Sequence, residues 1–216
     1  MKPTLIRALV LCALLVASSG HSQQSQPQAS ASQRELGKPI ALDNKMQLIV
    51  TVGKPEKGTV EVDKPYATAV VDRGLEVSLT FETQGAEEVK FLLMTSSDAK
   101  RSGVVLVDRE GEEIAPRAMK LEGSDFGYRT VTKGGMFAIG NCRDNPPVAL
   151  TIDGSHAGIG IPFCTKPGEK DTATVMFGEY ESLASRGINR IRVRCQFCPK
   201  EGLDVLFDPV KLTAQQ

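Results

Sequence analysis

Leu75, Val77, Leu79 and Phe81 alternate with Glu76, Ser78, Thr80 and Glu82. Successive side chains of a strand point to opposite faces, so this period of two predicts a strand with one face buried and the other wet. Asp72, Arg73 and Gly74 form the turn into it, and Gln84, Gly85 and Ala86 the turn out. Glu88 to Thr95, with Val89, Phe91 and Leu93 on one face, is then expected as its hairpin partner. A second alternation runs from Ile188 to Phe197. Ile191, Val193, Cys195 and Phe197 take one face and Arg190, Arg192, Arg194 and Gln196 the other. This predicts a strand that turns Cys195 inward.

Between these landmarks the pattern is short and repeatedly broken. Strands are expected at Met46 to Val52, Gly58 to Val62 and Tyr66 to Val71. Val104 to Val107 is apolar on both faces and suits a central strand. Glu113 to Leu121 contains Pro116, which confines it to an edge. Tyr128 to Val131 and Met136 to Ile139 flank Lys133-Gly134-Gly135, the composition of a tight hairpin. Val148 to Ile152, Ile159 to Phe163, Thr172 to Glu181 and Leu203 to Phe207 complete the set, and Glu179 to Ser185 has the length of one helical turn. Short strands spaced about 8–12 residues apart predict an all-β, antiparallel β-sandwich, Ig-like or jelly-roll-like. The chain contains no Trp, so the Cys–Trp–Cys signature of immunoglobulin domains is absent.

The first 22 residues read as a secretory signal peptide. Lys2 and Arg7 precede an apolar run, Leu5 to Val16, followed by small residues. That run is too short to span a bilayer. Residues 23–37 are rich in Gln and Ser, carry no apolar period and read as a disordered tether. Residues 38–212 read as one β-sandwich domain, with a split into two lobes, if there is one, falling near 123. A periplasmic or extracellular location follows. Without Lys2 and Arg7 the chain carries 24 basic against 26 acidic residues. Such a near-neutral balance does not point to nucleic acid.

Export changes the reading of the cysteines. Cys12 leaves with the leader, and Cys142, Cys164, Cys195 and Cys198 remain as an even set in an oxidising compartment, which predicts a disulfide staple. Four cysteines allow three pairings, and the sequence does not choose among them; Cys142 with Cys164 and Cys195 with Cys198 is the pairing preferred here, and a crossed pairing stays open. Cys142 and Cys164 follow the first and third of three successive apolar runs. In a simple meander those runs lie about 9.6 Å apart, beyond the roughly 7 Å Cα limit of a disulfide. Their pairing therefore requires the chain to cross between sheets.

Candidate chemistry is sparse. Cys195-Gln196-Phe197-Cys198 has CxxC redox spacing, but a strand precedes it where a thiol oxidoreductase places a helix N-terminus. Zinc is a weak alternative, because Cys142 and Cys164 are too far apart in sequence to make a second close pair. His156 sits in a Gly-rich stretch expected as a loop, Asp153 to Gly158; hydrolysis there needs a nucleophile and a carboxylate within reach. Asp108, Glu110, Glu112 and Glu113 form an acidic turn that reads as solvated rather than as a calcium site. Arg190, Arg192 and Arg194 share one face, suited to a carboxylate or anionic glycan, or to cross-strand pairing with Asp204 and Asp208. No metal or other cofactor is expected.

Tyr128 and Thr132-Lys133-Gly134, within Gly127 to Gly135, resemble the Tyr and Thr-Lys-Gly elements of periplasmic lysozyme inhibitors. The resemblance spans that run alone and implies an inhibitor of a secreted enzyme, with no inhibitory residue carried over. The expected function is a secreted or periplasmic, non-catalytic binding module for a protein, glycan or other cell-envelope partner. Its first candidate recognition loops are Asn141 to Pro147 and Asp153 to Gly158. The alternatives are that inhibitor, a periplasmic thiol–disulfide enzyme using Cys195 and Cys198, and a hydrolase using His156.

Overall fold

The computed structural model describes residues 34–64, 67–121, 129–130, 148–152, 155–178 and 180–208. Their strands, numbered along the chain, form three sheets. The largest runs, edge to edge, through β1 (Pro39–Ala41), β2 (Met46–Val52), β5 (Glu76–Thr83), β13 (Lys170–Met176), β9 (Ala118–Leu121), β10 (Arg129–Thr130), β3 (Thr59–Lys64) and β4 (Ala67–Asp72). The second holds β11 (Val148–Ile152), β12 (Ser155–Thr165) and β6 (Val89–Thr95), in that order. The third runs β15 (Leu203–Leu206), β14 (Arg190–Val193), β7 (Val104–Val107) and β8 (Glu113–Ile114). The fold is mostly β, and among the described residues its pairings are antiparallel apart from a parallel contact of β10 with β3 and a parallel bridge of Glu35 with Leu206. Among the described residues one short helix, α1 (Tyr180–Ser185), and a 3-10 turn, Ala99–Arg101, interrupt it. Among the described residues no helix is long and apolar enough to cross a membrane.

Strand β5 shows the period of two directly. Val77, Leu79, Phe81 and Thr83 are buried, and the residues between them are half-buried. On the wetter face Ser78 meets Thr174 at 2.7 Å and Thr80 meets Thr172 at 2.9 Å, hydroxyl to hydroxyl across β13. Such cross-strand pairs fix register. Val104 to Val107 is buried throughout, as expected for a strand flanked on both sides.

The partner of β5 differs from the hairpin expected. β5 pairs with β2 and β13, while β6 pairs with β12 in another sheet. Aromatic packing accounts for the difference. The Phe81 ring stands edge-on to Phe91 and to Phe163, with centroids 4.9 and 4.8 Å away. Phe91 and Phe163 are cross-strand partners of β6 and β12 and stack at 4.9 Å. The chain after Thr83 therefore carries Phe91 to the ring of Phe81 from a different sheet instead of folding β6 back beside β5. Alternation fixes which face is buried, not which strand lies alongside.

Other boundaries move for local reasons. Pro116 divides the expected edge strand into β8, an edge, and β9, an interior strand between β13 and β10. The expected loop around His156 is largely strand: β11 and β12 form a hairpin with Ile152 opposite Ser155 and His156 opposite Thr151. Asp153-Gly154 between them is the composition of a two-residue hairpin connection. β14 ends at Val193, so Cys195 lies in the following turn rather than in the strand. Arg34 to Gly37, from the stretch expected as tether, are hydrogen-bonded to the body: Arg34 O accepts from Leu206 N at 2.9 Å, and Gly37 N donates to Val50 O at 2.8 Å. The leader, residues 23–33 of the tether, Cys142, and the expected Met136 to Ile139 strand and Asn141 to Pro147 loop lie outside the described residues. So does the lysozyme-inhibitor-like run, apart from Arg129 and Thr130.

Truncating a ring at the meeting point of the sheets leaves a cavity and is expected to cost about 3–5 kcal/mol. Phe163→Ala should show that loss in equilibrium urea unfolding. Leu92→Ala, on the opposite face of β6 and 37 % exposed, should cost less than about 1 kcal/mol. Equal losses would contradict the assignment of faces.

Candidate binding surface

β14 carries Arg190 and Arg192 on one face because they occupy alternate positions, and Arg194, just past its end, joins the same row. Its neighbour β15 places Asp204 directly opposite Arg192. Arg192 grips both oxygens of that carboxylate, Nε to Oδ1 at 2.7 Å and Nη2 to Oδ2 at 2.9 Å. Arg190 donates to the same Oδ2 at 3.2 Å. On the other side Arg192 Nη1 donates to Glu113 Oε1 at 3.0 Å, and Arg194 Nη2 donates to that same oxygen. Arg194 Nη1 also donates to the carbonyls of Ala99 and Ser102, at 3.1 and 3.3 Å. The row is thus a continuous ladder of guanidinium and carboxylate groups across β15, β14 and β8.

The ladder is partly sheltered: the side chains of Arg192, Asp204 and Glu113 are 24 %, 30 % and 16 % exposed. Hydrogen bonding from Arg192, followed by the nearby positive charges, holds the Asp204 carboxyl below its usual range against the opposing effect of burial. The Asp204 hydrogen bond likewise raises the Arg192 guanidinium further above its ordinary value. Gly202 makes the close packing feasible. It has φ +93°, and a β-carbon there would sit 3.1–3.2 Å from the stems of Arg192 and Arg194. The cross-strand alternative for the arginine row is therefore realised through Asp204. Glu113, expected in an acidic turn, is the second acceptor; only the pairing of β7 with β8 brings it there.

Cys195 and Cys198 are bonded to each other, with Cα atoms 5.0 Å apart. Cys198 N donates to Cys195 O at 3.0 Å, closing a turn. Between them Phe197 is buried, its ring edge-on to Phe91 at 5.2 Å, and both cysteines pack against the core. This bond removes the crossed pairing. Cys164 is also disulfide-bonded, and its partner lies outside the described residues. His156 is placed on β12, but its side chain lies outside what is described. Among the described residues no group of three or more His, Cys, Asp or Glu side chains could hold a metal ion. In the acidic turn Asp108 is buried and accepts from Glu112 N at 2.8 Å, whereas Glu113 turns to the arginines.

Periodicity gave no sign of a second polar site. A cleft of about 250 Å³ is lined by Asp72, Ile114, Ala115, Arg117, Gly178, Ser182, Leu183 and Arg186. Arg117 follows Pro116, and its backbone N donates to Met176 O at 2.7 Å. Its guanidinium lies over Gly178, where an added β-carbon would come within 3.0 Å of Cζ. Among the described residues Arg117 and Asp72 have no ion-pair partner. Arg186 Nη2 is 3.9 Å from Asp108 Oδ2, at the outer limit of an ion pair. No protein-family model, curated protein or solved structure matches this chain.

Removing Asp204 should leave Arg190 and Arg192 under-satisfied. For this half-sheltered network Asp204→Asn is expected to cost roughly 1–3 kcal/mol at neutral pH, between exposed and fully buried pairs. Because the folded-state pKa of Asp204 lies below the unfolded value, its contribution is present above about pH 4 and is lost as pH falls through the folded value. Urea unfolding of the wild type and Asp204→Asn from pH 7 downward should therefore show their difference shrinking with acid. A constant difference would count against the ladder.

Proposed function

We propose that this chain is an exported, non-catalytic binding module, acting in the periplasm or outside the cell on a protein or cell-envelope partner. We further propose that its sheets pack as a β-sandwich of Ig-like or jelly-roll-like type. The observation that carries the reading is the cleft in which the Arg117 guanidinium lies over Gly178 and has no counter-charge among the described residues. An exposed guanidinium left unanswered beside a cleft is suited to recognition, because its fork of donors matches a carboxylate. The sulfur bonds of Cys195, Cys198 and Cys164 accord with an oxidising compartment, as does the leader around Lys2, Arg7 and Leu5 to Val16. The arginine row takes a different part in this reading: Arg190, Arg192 and Arg194 stiffen the sheet through Asp204 and Glu113 and are not the first contact with a partner.

The CxxC spacing of the bonded pair sustains thiol–disulfide exchange as a second reading. Two features favour a structural bond instead. The pair follows a strand and not a helix N-terminus, and Phe197 between the two sulfurs is anchored in the core. Loop closure over so few residues contributes roughly 2 kcal/mol. The double variant Cys195→Ser/Cys198→Ser should unfold earlier by about that amount and retain partner capture. Loss of a disulfide-exchange turnover that the wild type displays would support the second reading instead. For the module itself, the purified, oxidised chain should retain an envelope component from native extract, reproducibly and saturably. Failure to retain any would contradict the proposal.

A further inference from the structure

We infer that the cleft between β4, the β8–β9 link and α1 is a site for a single carboxylate carried on a short aliphatic stem. The inference deepens the binding-module reading and rests on it for its biological meaning, though not for its chemistry. Arg117 supplies the recognition. Its fork of N–H donors matches a carboxylate edge-on, and no carboxylate of the described protein occupies it. Its side chain is exposed, and its guanidinium lies against Gly178. Gly178 beneath it is buried and leaves the space the guanidinium fills. The floor is constrained: a β-carbon on Gly74 would come within 2.2–2.3 Å of the carbonyl oxygens of Gly178 and Phe177. The backbone layers under the site therefore lie in direct contact.

Charge and size narrow the ligand. Arg117 and Arg186 face one acidic group, Asp72, across the same cleft. Asp108 answers Arg186 only at 3.9 Å. A single negative charge is matched by this arrangement, whereas the second charge of a phosphate would be opposed by Asp72. Ile114, Ala115 and Leu183 supply an apolar wall for a few methylenes, and Ser182 lies on the same lining. A volume of about 250 Å³ falls below the roughly 300–1,000 Å³ of sites that enclose whole ligands. It suits the end of a larger molecule: the C-terminus of a peptide or the side chain of a glutamate.

The test is NMR titration of the purified, oxidised chain, following the methyl groups of Ile114 and Leu183 and the Nε–H of Arg117. Butanoate should shift these signals saturably. Butanamide, of the same shape without the charge, and inorganic phosphate should bind far more weakly. Arg117→Gln should lower butanoate affinity about tenfold or more while keeping the wild-type urea midpoint, since the side chain is exposed. Gly178→Ala should weaken it through displacement of the guanidinium, and Arg117→Lys should restore part of it. N-acetyl-alanyl-alanine with a free carboxylate and N-acetyl-glutamate amide then separate the two sources; saturable binding of either supports the site. Phosphate binding as tightly as butanoate, or butanoate affinity unchanged in Arg117→Gln, would overturn it.

Capture experiments keep this inference apart from the broader reading. If wild type and Arg117→Gln retain the same envelope component equally, the cleft assignment fails and the module stands. If neither retains anything while butanoate still binds, the module fails and the carboxylate site stands.

Discussion

Four phenylalanine rings hold the described body together. Phe81 belongs to the largest sheet, Phe91 and Phe163 to the three-stranded one, and Phe197 to the turn closed by Cys195 and Cys198. Each contact is edge-on or stacked at about 5 Å, the arrangements aromatic quadrupoles favour. Such pairs contribute about 0.5–1.5 kcal/mol each beyond the area they bury. Their larger effect is topological. By drawing Phe91 away from the strand that precedes it in sequence, the cluster commits β6 to β12 and leaves β5 between β2 and β13. The chain has few aromatic residues and no Trp, so much of its aromatic packing is concentrated in this one place.

Polar groups are divided between structure and recognition by whether the fold gives them partners. Strand register sets Asp204 opposite Arg192, and the arginines reach Glu113 on β8 past the intervening β7. Breaking such a sheltered pair leaves its partner desolvated and unpaired, which is why the ladder acts as a brace rather than as a free binding face. Arg117 leaves the core immediately after a proline, at the break between two sheets. It finds backbone below and the cleft beside it. The same residue type thus takes opposite roles, according to whether a strand or a strand break presents it.

What could be read in advance follows from these distinctions. The inward face of β5, the buried β7 and the short helix near Ser185 were legible because periodicity and length are local properties. The pairing of β11 with β12 was not, since the glycines after Asp153 invited a loop reading for residues that form β12. The pairing of β5 was not legible, since alternation carries no information about neighbours. Nor was the position of Cys195: alternation continues through Phe197, but the chain leaves the sheet at Val193 to close a disulfide turn, and Phe197 still reaches the core. Asp204 was visible as a cross-strand partner for the arginines. Glu113 and Arg117 were not, because their roles come from groups distant in sequence, Arg192 and Arg194 for the one and Gly178 for the other.

The central claim is that the disulfide turn and the sheet core form one cooperative unit through Phe197 and Phe91. A double-mutant cycle measures it most directly, combining Phe91→Leu with Cys195→Ser/Cys198→Ser and following urea unfolding. Coupling predicts an interaction free energy of about 1 kcal/mol or more, because ring packing and turn closure depend on each other. Additivity within about 0.3–0.5 kcal/mol would show that the turn and the core are independent, and would contradict the account.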